Sequence, residues 1–142
     1  MKGKILVTLQ FACLVGLMFL TDWLTLPLWS FLILGLSGFL AFWAMAVMKF
    51  GNFNIVPSPV VNGNLIITGP YRIIRHPMYA SIFIFALALL TGQFDYYKII
   101  ISVILVADLV VKMIFEESLL CKSYPEYKSY MMKTKRVIPF VW

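Results

Sequence analysis

From Leu28 to Met48 the chain carries no charged residue, and that stretch limits the possible folds more than any other. A helix needs about 20 apolar residues to cross the hydrocarbon core of a bilayer, and this run reaches that length. Three shorter apolar runs accompany it, over residues 5–20, 77–91 and 99–115. With 62% hydrophobic and only 13% charged residues, the chain falls well short of the roughly one-quarter charge of soluble domains. The pattern predicts an all-α integral membrane protein with four transmembrane helices. The third is short and either tilts, sits partly embedded, or forms a tight hairpin with the fourth. A single domain spans residues 1–142, with a two-helix anchor over 1–48 and a core over 49–142. Lys2 and Lys4 ahead of the first run imitate a signal peptide, but "FLTDWLTLP" offers no small-x-small cleavage site, so an uncleaved anchor is expected.

The net charge of +6 raises nucleic acid as a partner, but the placement of the cations points elsewhere. Lys2 and Lys4 precede the first run. Lys49, Arg72 and Arg75 lie between the second and third, and Lys122, Lys128, Lys133, Lys135 and Arg136 follow the fourth. The loops around Asp22 and Asp95 have Lys98 alone. The positive-inside rule then puts both termini and the middle loop in the cytoplasm, with membrane lipids as partners and no nucleic acid. Two distant cysteines, Cys13 and Cys121, and the lone His76 give no metal-ligand spacing, so no metal is expected.

The loop over residues 49–76 is long enough to carry function. Within it, "VVNGNLII" reads as two short β-type runs about an Asn62-Gly63 turn. Beyond Cys121 the tail is polar and aromatic, suited either to lie along the membrane or to fold back over the loop.

Two constellations stand out. "TGPYRIIRHPMY", residues 68–79, gathers Tyr71, Arg72, Arg75, His76, Pro77 and Tyr79. Pro77 suits the first position of a helix, because its missing N–H has no partner to lose there. Such a helix start welcomes an anion; alternatively the arginines reach lipid headgroups and the tyrosines join an interfacial belt. The second constellation is Asp108, Lys112, Glu116 and Glu117. Four-residue steps put the first three within about 80° of one another around a helix, with Glu117 about 100° beyond Glu116. Asp108 and Lys112 are spaced to form an ion pair; an acid inside an apolar run is otherwise a functional candidate. Glu116 and Glu117, at the end of the run, sit where a helix dipole disfavours anions and so suggest a cationic partner.

"LIITGPYRIIRHPMY", then an apolar hairpin, "EESLL" and "PEYKSYMMKTKRVIPF" resemble the isoprenylcysteine carboxyl methyltransferase family and its phospholipid methyltransferase relatives, over about residues 60–140. The resemblance implies a membrane-embedded enzyme that uses S-adenosylmethionine, held on the cytoplasmic side by the loop and the tail. By position in the motifs it implies cofactor contacts at Asn64, Leu65, Ile66, Tyr71, His76, Pro77, Met78, Tyr79 and Glu116. Glu116 would hold the ammonium group, with Glu117 beside it. Arg75, His76 and the Pro77 helix start would meet the carboxylate, and Tyr71 or Tyr79 the adenine or the sulfonium. Lys112 stands where carboxyl methyltransferases carry a substrate-binding arginine, and no residue is singled out as catalytic. The family's glycine after the second tyrosine is Ser81 here, and a histidine often found two residues before Leu65 is Gly63.

The expected function is methyl transfer to a membrane-resident or small hydrophobic acceptor, with the carboxylate of a prenyl or lipid-like substrate preferred on the strength of Lys112. A nicotinamide-dependent membrane reductase on a similar scaffold and a non-catalytic membrane protein keeping the motif are the alternatives.

Overall fold

In a lipid environment a chain satisfies its backbone N–H and C=O groups internally or not at all, so apolar runs of this length become helices. The computed structural model describes residues 2–48, 65–139 and 141. Its helices are α1 (Lys2–Phe19), α2 (Leu28–Met48), α3 (Pro77–Gly92), α4 (Tyr96–Ser123) and α5 (Tyr127–Lys133), with a 3-10 turn over Gly69–Arg72. No strand forms among the described residues. The Asn62-Gly63 turn lies outside them, and the β-type run expected after it is unpaired over 65–67.

The fold is all-helical, and α2 is the one helix among the described residues that is long and apolar enough to cross a membrane unaided. Its outward face is bare: Leu28, Leu32, Phe39 and Phe42 are each more than half exposed. Such a surface marks a contact with a membrane or another protein. Residues 3–19 of α1 and the whole of α3 are apolar but shorter.

α4 is longer than its apolar run. It begins where the Asp95 carboxylate accepts hydrogen bonds from the Tyr97 and Lys98 amides (2.8 and 3.1 Å), a side-chain N-cap. It then continues past the glutamates to Ser123, because no glycine or proline intervenes before Pro125. Glu116 and Glu117 therefore lie well inside the helix, and the dipole argument built on a helix end does not apply to them.

The short turn 93–95 joins α3 to α4, yet α3 packs chiefly along α2 while α1 packs along α4. The Ser37 hydroxyl on α2 donates to the Ser81 carbonyl on α3 (2.8 Å). At the far end of the same pair, a Cβ on Gly92 would collide with Ser30 and stand 2.7 Å from Leu26 Cδ2, so a larger residue there would force both side chains to shift. A core of Cys13, Leu17, Leu26, Ala86, Leu89, Leu105 and Leu109 fills the space between the two pairs.

The two ends of the bundle differ in kind. At one, the Asp22 amide and the buried Lys98 ammonium both donate to Gln93 Oε1 (3.1 and 3.0 Å). At the other, Gly69 adopts φ +59°, and an added Cβ would stand 2.7 Å from Val47 Cγ2 at the end of α2. That left-handed residue turns the chain tightly enough for Tyr71 to reach Met48, its hydroxyl 3.9 Å from the sulfur.

Candidate active site

The tail builds this second end. The Arg75 amide donates to the Lys135 carbonyl (2.7 Å), the His76 amide to the Arg136 carbonyl (2.9 Å), and Ile74 and Lys135 form a parallel bridge. Of the two tail dispositions expected, the chain adopts the one that folds back. The Tyr130 hydroxyl donates to the Tyr71 carbonyl (2.6 Å), so α5 clamps the 3-10 turn as well.

These contacts gather three side chains on Glu117. Arg75 Nε lies 2.8 Å from Glu117 Oε1, and both side chains are more than 90% buried. Arg136 Nη2 lies 3.0 Å from Oε2, and His76 Nε2 3.3 Å from Oε1. Arg75 also donates to the Thr134 and Met131 carbonyls. Burial works against the Glu117 charge, but the hydrogen bonds from His76, Arg136 and Arg75 outweigh it and hold the carboxyl down at about 2. A carboxyl depressed in the folded state contributes stability that is fully present above its ordinary value of 4.5 and lost as pH falls toward about 2. The melting-temperature gap between the wild type and Glu117→Gln in detergent should therefore be constant above about pH 5 and narrow below it.

Glu116 has a different neighbourhood. Its carboxylate accepts from the Tyr79 hydroxyl, and its other oxygen lies 3.6 Å from His76 Nδ1. Among the described residues its ion contact is with His76, and 20% of its side chain is exposed. Burial pushes its carboxyl up against the pull of His76, Tyr79 and Lys112. His76 thus stands between the two acids, and donating to both requires protons on both ring nitrogens. Its ring stacks on Tyr79, centroids 5.5 Å apart at 21°.

Lys112 does not pair with Asp108. Its ammonium donates to Gln10 Oε1 on α1 (2.6 Å) and lies 5.2 Å from the centre of the Tyr79 ring. The four-residue spacing permitted the pair, but α1 supplies a nearer acceptor, and Asp108 keeps both carboxylate oxygens without a hydrogen-bond partner.

The structure therefore brings Arg75, His76, Pro77, Tyr79, Lys112, Glu116 and Glu117 to one end of the bundle. Tyr71 lies buried in the adjoining turn, Met78 is half-buried in the first turn of α3, and Leu65 and Ile66 are half-buried ahead of the turn. Asn64 is outside the described residues. Ser81, in place of a glycine, is accommodated by turning its hydroxyl back onto the Met78 carbonyl (2.7 Å). Two partners escaped the sequence reading, Gln10 and Arg136. A polar amide within the first apolar run was the one available signal for Gln10. Arg136 was legible only as a cation of the tail.

A family model described as phospholipid methyltransferase matches residues 26–127. The chain belongs to the phospholipid methyltransferase family. No curated protein and no solved structure matches it. The family is one of membrane-associated methyltransferases, which favours methyl transfer over nicotinamide reduction for the site. In this chain the matched stretch holds α2 to α4 and the whole Glu116–His76–Tyr79 group. Gln10 and Arg136, which hold Lys112 and Glu117 in place, lie on either side of it.

Proposed function

We propose that the protein transfers a methyl group from S-adenosylmethionine to a membrane-resident, lipid-like acceptor, at a site on the cytosolic ends of four membrane-crossing helices. The observation that carries this reading is the pairing of a half-open acid, Glu116, with the stacked His76–Tyr79 rings beneath Lys112.

The donor set fits the cofactor. Glu116 is a carboxylate met by His76 and the Tyr79 hydroxyl, which suits the ammonium or the sulfonium, and Tyr79 adds an aromatic face for a cation. Tyr71, Met78, Pro77, Leu65 and Ile66 complete the surround. Arg75 and Glu117 are committed to each other and to the tail, so they act as positioning residues that hold His76 in register. When bound, the cofactor supplies an electrophilic methyl on a sulfonium. The chain contributes alignment and a largely apolar wall that keeps water out. Lys112 presents a positive charge to an anionic group of the acceptor. That group is either the methylated carboxylate of a prenyl or lipid-like chain, or a phosphate next to the methylated atom.

Titration of the purified, detergent-solubilised protein with S-adenosylhomocysteine should give saturable binding, and titration with NADPH should not. A flat response to S-adenosylhomocysteine would remove the cofactor from this reading.

A further inference from the structure

α5 presents two unlike faces. Lys128, Ser129, Met132 and Lys133 lie within about 140° of one another around the helix, and Tyr127, Tyr130 and Met131 occupy the opposite arc. That opposite arc is docked: Tyr127 is 2% exposed, and the Tyr130 hydroxyl donates to the Tyr71 carbonyl (2.6 Å). The first arc is bare, with Met132 88% exposed between two exposed lysines. Over residues 121–139 five cations stand against one acid, Glu126. A long apolar side chain flanked by ammonium groups suits a boundary, with hydrocarbon on one side and phosphate on the other. A seven-residue helix is also too short to persist alone, so its order depends on what it docks against.

The position of α5 matches such a boundary. α2 ends at Met48, whose sulfur lies 3.9 Å from the Tyr71 hydroxyl, and Tyr71 carries the carbonyl that receives Tyr130. A helix that crosses the hydrocarbon core ends near the headgroups, so α5 stands at that level. We propose that the outward arc of α5 docks on an anionic lipid surface, with Met132 entering the interface and Lys128 and Lys133 meeting phosphates, and that this docking seats the tail over the site.

The link to the site is short, and only this half rests on the methyl-transfer reading above. Arg75 donates to the carbonyls of Met131 and Thr134, which bracket Met132 and Lys133. Through Glu117 the same arginine fixes His76. An α5 held at the membrane therefore holds Arg75, and one that lifts away loosens it. Neutral headgroups supply the apolar contact for Met132 alone. Negative surface charge adds about a fivefold factor for each lysine near it, and salt screens that gain.

The test places the full chain in nanodiscs of phosphatidylcholine alone and of an equal mixture with phosphatidylglycerol, which adds negative charge without an amine. Hydrogen exchange at the Tyr130 amide, bonded to the Glu126 carbonyl, and at the Arg75 amide, bonded to the Lys135 carbonyl, should slow about tenfold or more in the anionic discs. S-adenosylhomocysteine should bind more tightly there, and both differences should shrink at high salt. Lys128→Gln combined with Lys133→Gln should abolish both differences and match the wild type in neutral discs, which shows that the variant is folded. Met132→Ser should reduce them with the charge unchanged. Equal exchange at α5 in the two discs, or an anionic effect that survives the double lysine variant, overturns the proposal. Slowing confined to α5, with Arg75 exchange and cofactor affinity unmoved, overturns the coupling to the site. Failure of S-adenosylhomocysteine to bind in either disc would instead strike the cofactor reading, and the exchange comparison would still decide the docking.

Discussion

Glu117→Ala is expected to cost about 3 to 5 kcal/mol of folding stability, the loss typical when one partner of a buried ion pair is removed. The variant leaves Arg75 buried with its charge opposed only by backbone carbonyls, and it strips His76 and Arg136 of a shared acceptor. The damage should concentrate where the tail docks. Hydrogen exchange at the Arg75 and His76 amides, which donate to Lys135 and Arg136 carbonyls, should accelerate before exchange within α2 or α3. Thermal melting in detergent measures the global loss. A drop equivalent to less than about 1 kcal/mol would mean that water already reaches this cluster and screens it.

Glu116→Gln should do the opposite. The amide keeps an oxygen for the Tyr79 hydroxyl and nearly the same volume, so melting should shift little. Binding of S-adenosylhomocysteine, which retains the amino acid ammonium, should weaken about 10- to 100-fold, the value of a charge-assisted hydrogen bond converted to affinity. Calorimetric titration reads this directly. Unchanged affinity in a folded variant would place the cationic end of the cofactor away from Glu116. Together the adjacent acids form a controlled comparison, because they differ in partners more than in chemistry. One is surrounded by His76, Arg75 and Arg136, and the other is 20% exposed and meets His76 and Tyr79.

Much of the helical layout was readable in advance. The uncharged run Leu28–Met48 became α2 with the same bounds, and Pro77 began α3 as a residue without an N–H should. The Gly69-Pro70 turn was legible because few residues other than glycine accept a positive φ. The end of α4 was misjudged, since apolarity stops at Phe115 while helix propensity does not stop until Pro125. The Asp108–Lys112 pairing was also misjudged. Spacing along one helix says which groups can meet, but not whether a neighbouring helix offers a better partner.

By itself, the order of residues determined that this chain forms apolar helices with most of its cations outside the apolar runs, because period, charge and proline placement act over a few residues. It also brought the motifs of a methyltransferase family into view. Only the tertiary structure decided which glutamate is neutralised and which stays half-open, and that Lys112 turns to Gln10 and leaves Asp108 unanswered. Those choices depend on groups tens of residues apart or more competing for the same donor in a low-dielectric interior, where an unmet charge is expensive. No local pattern encodes the outcome of that competition.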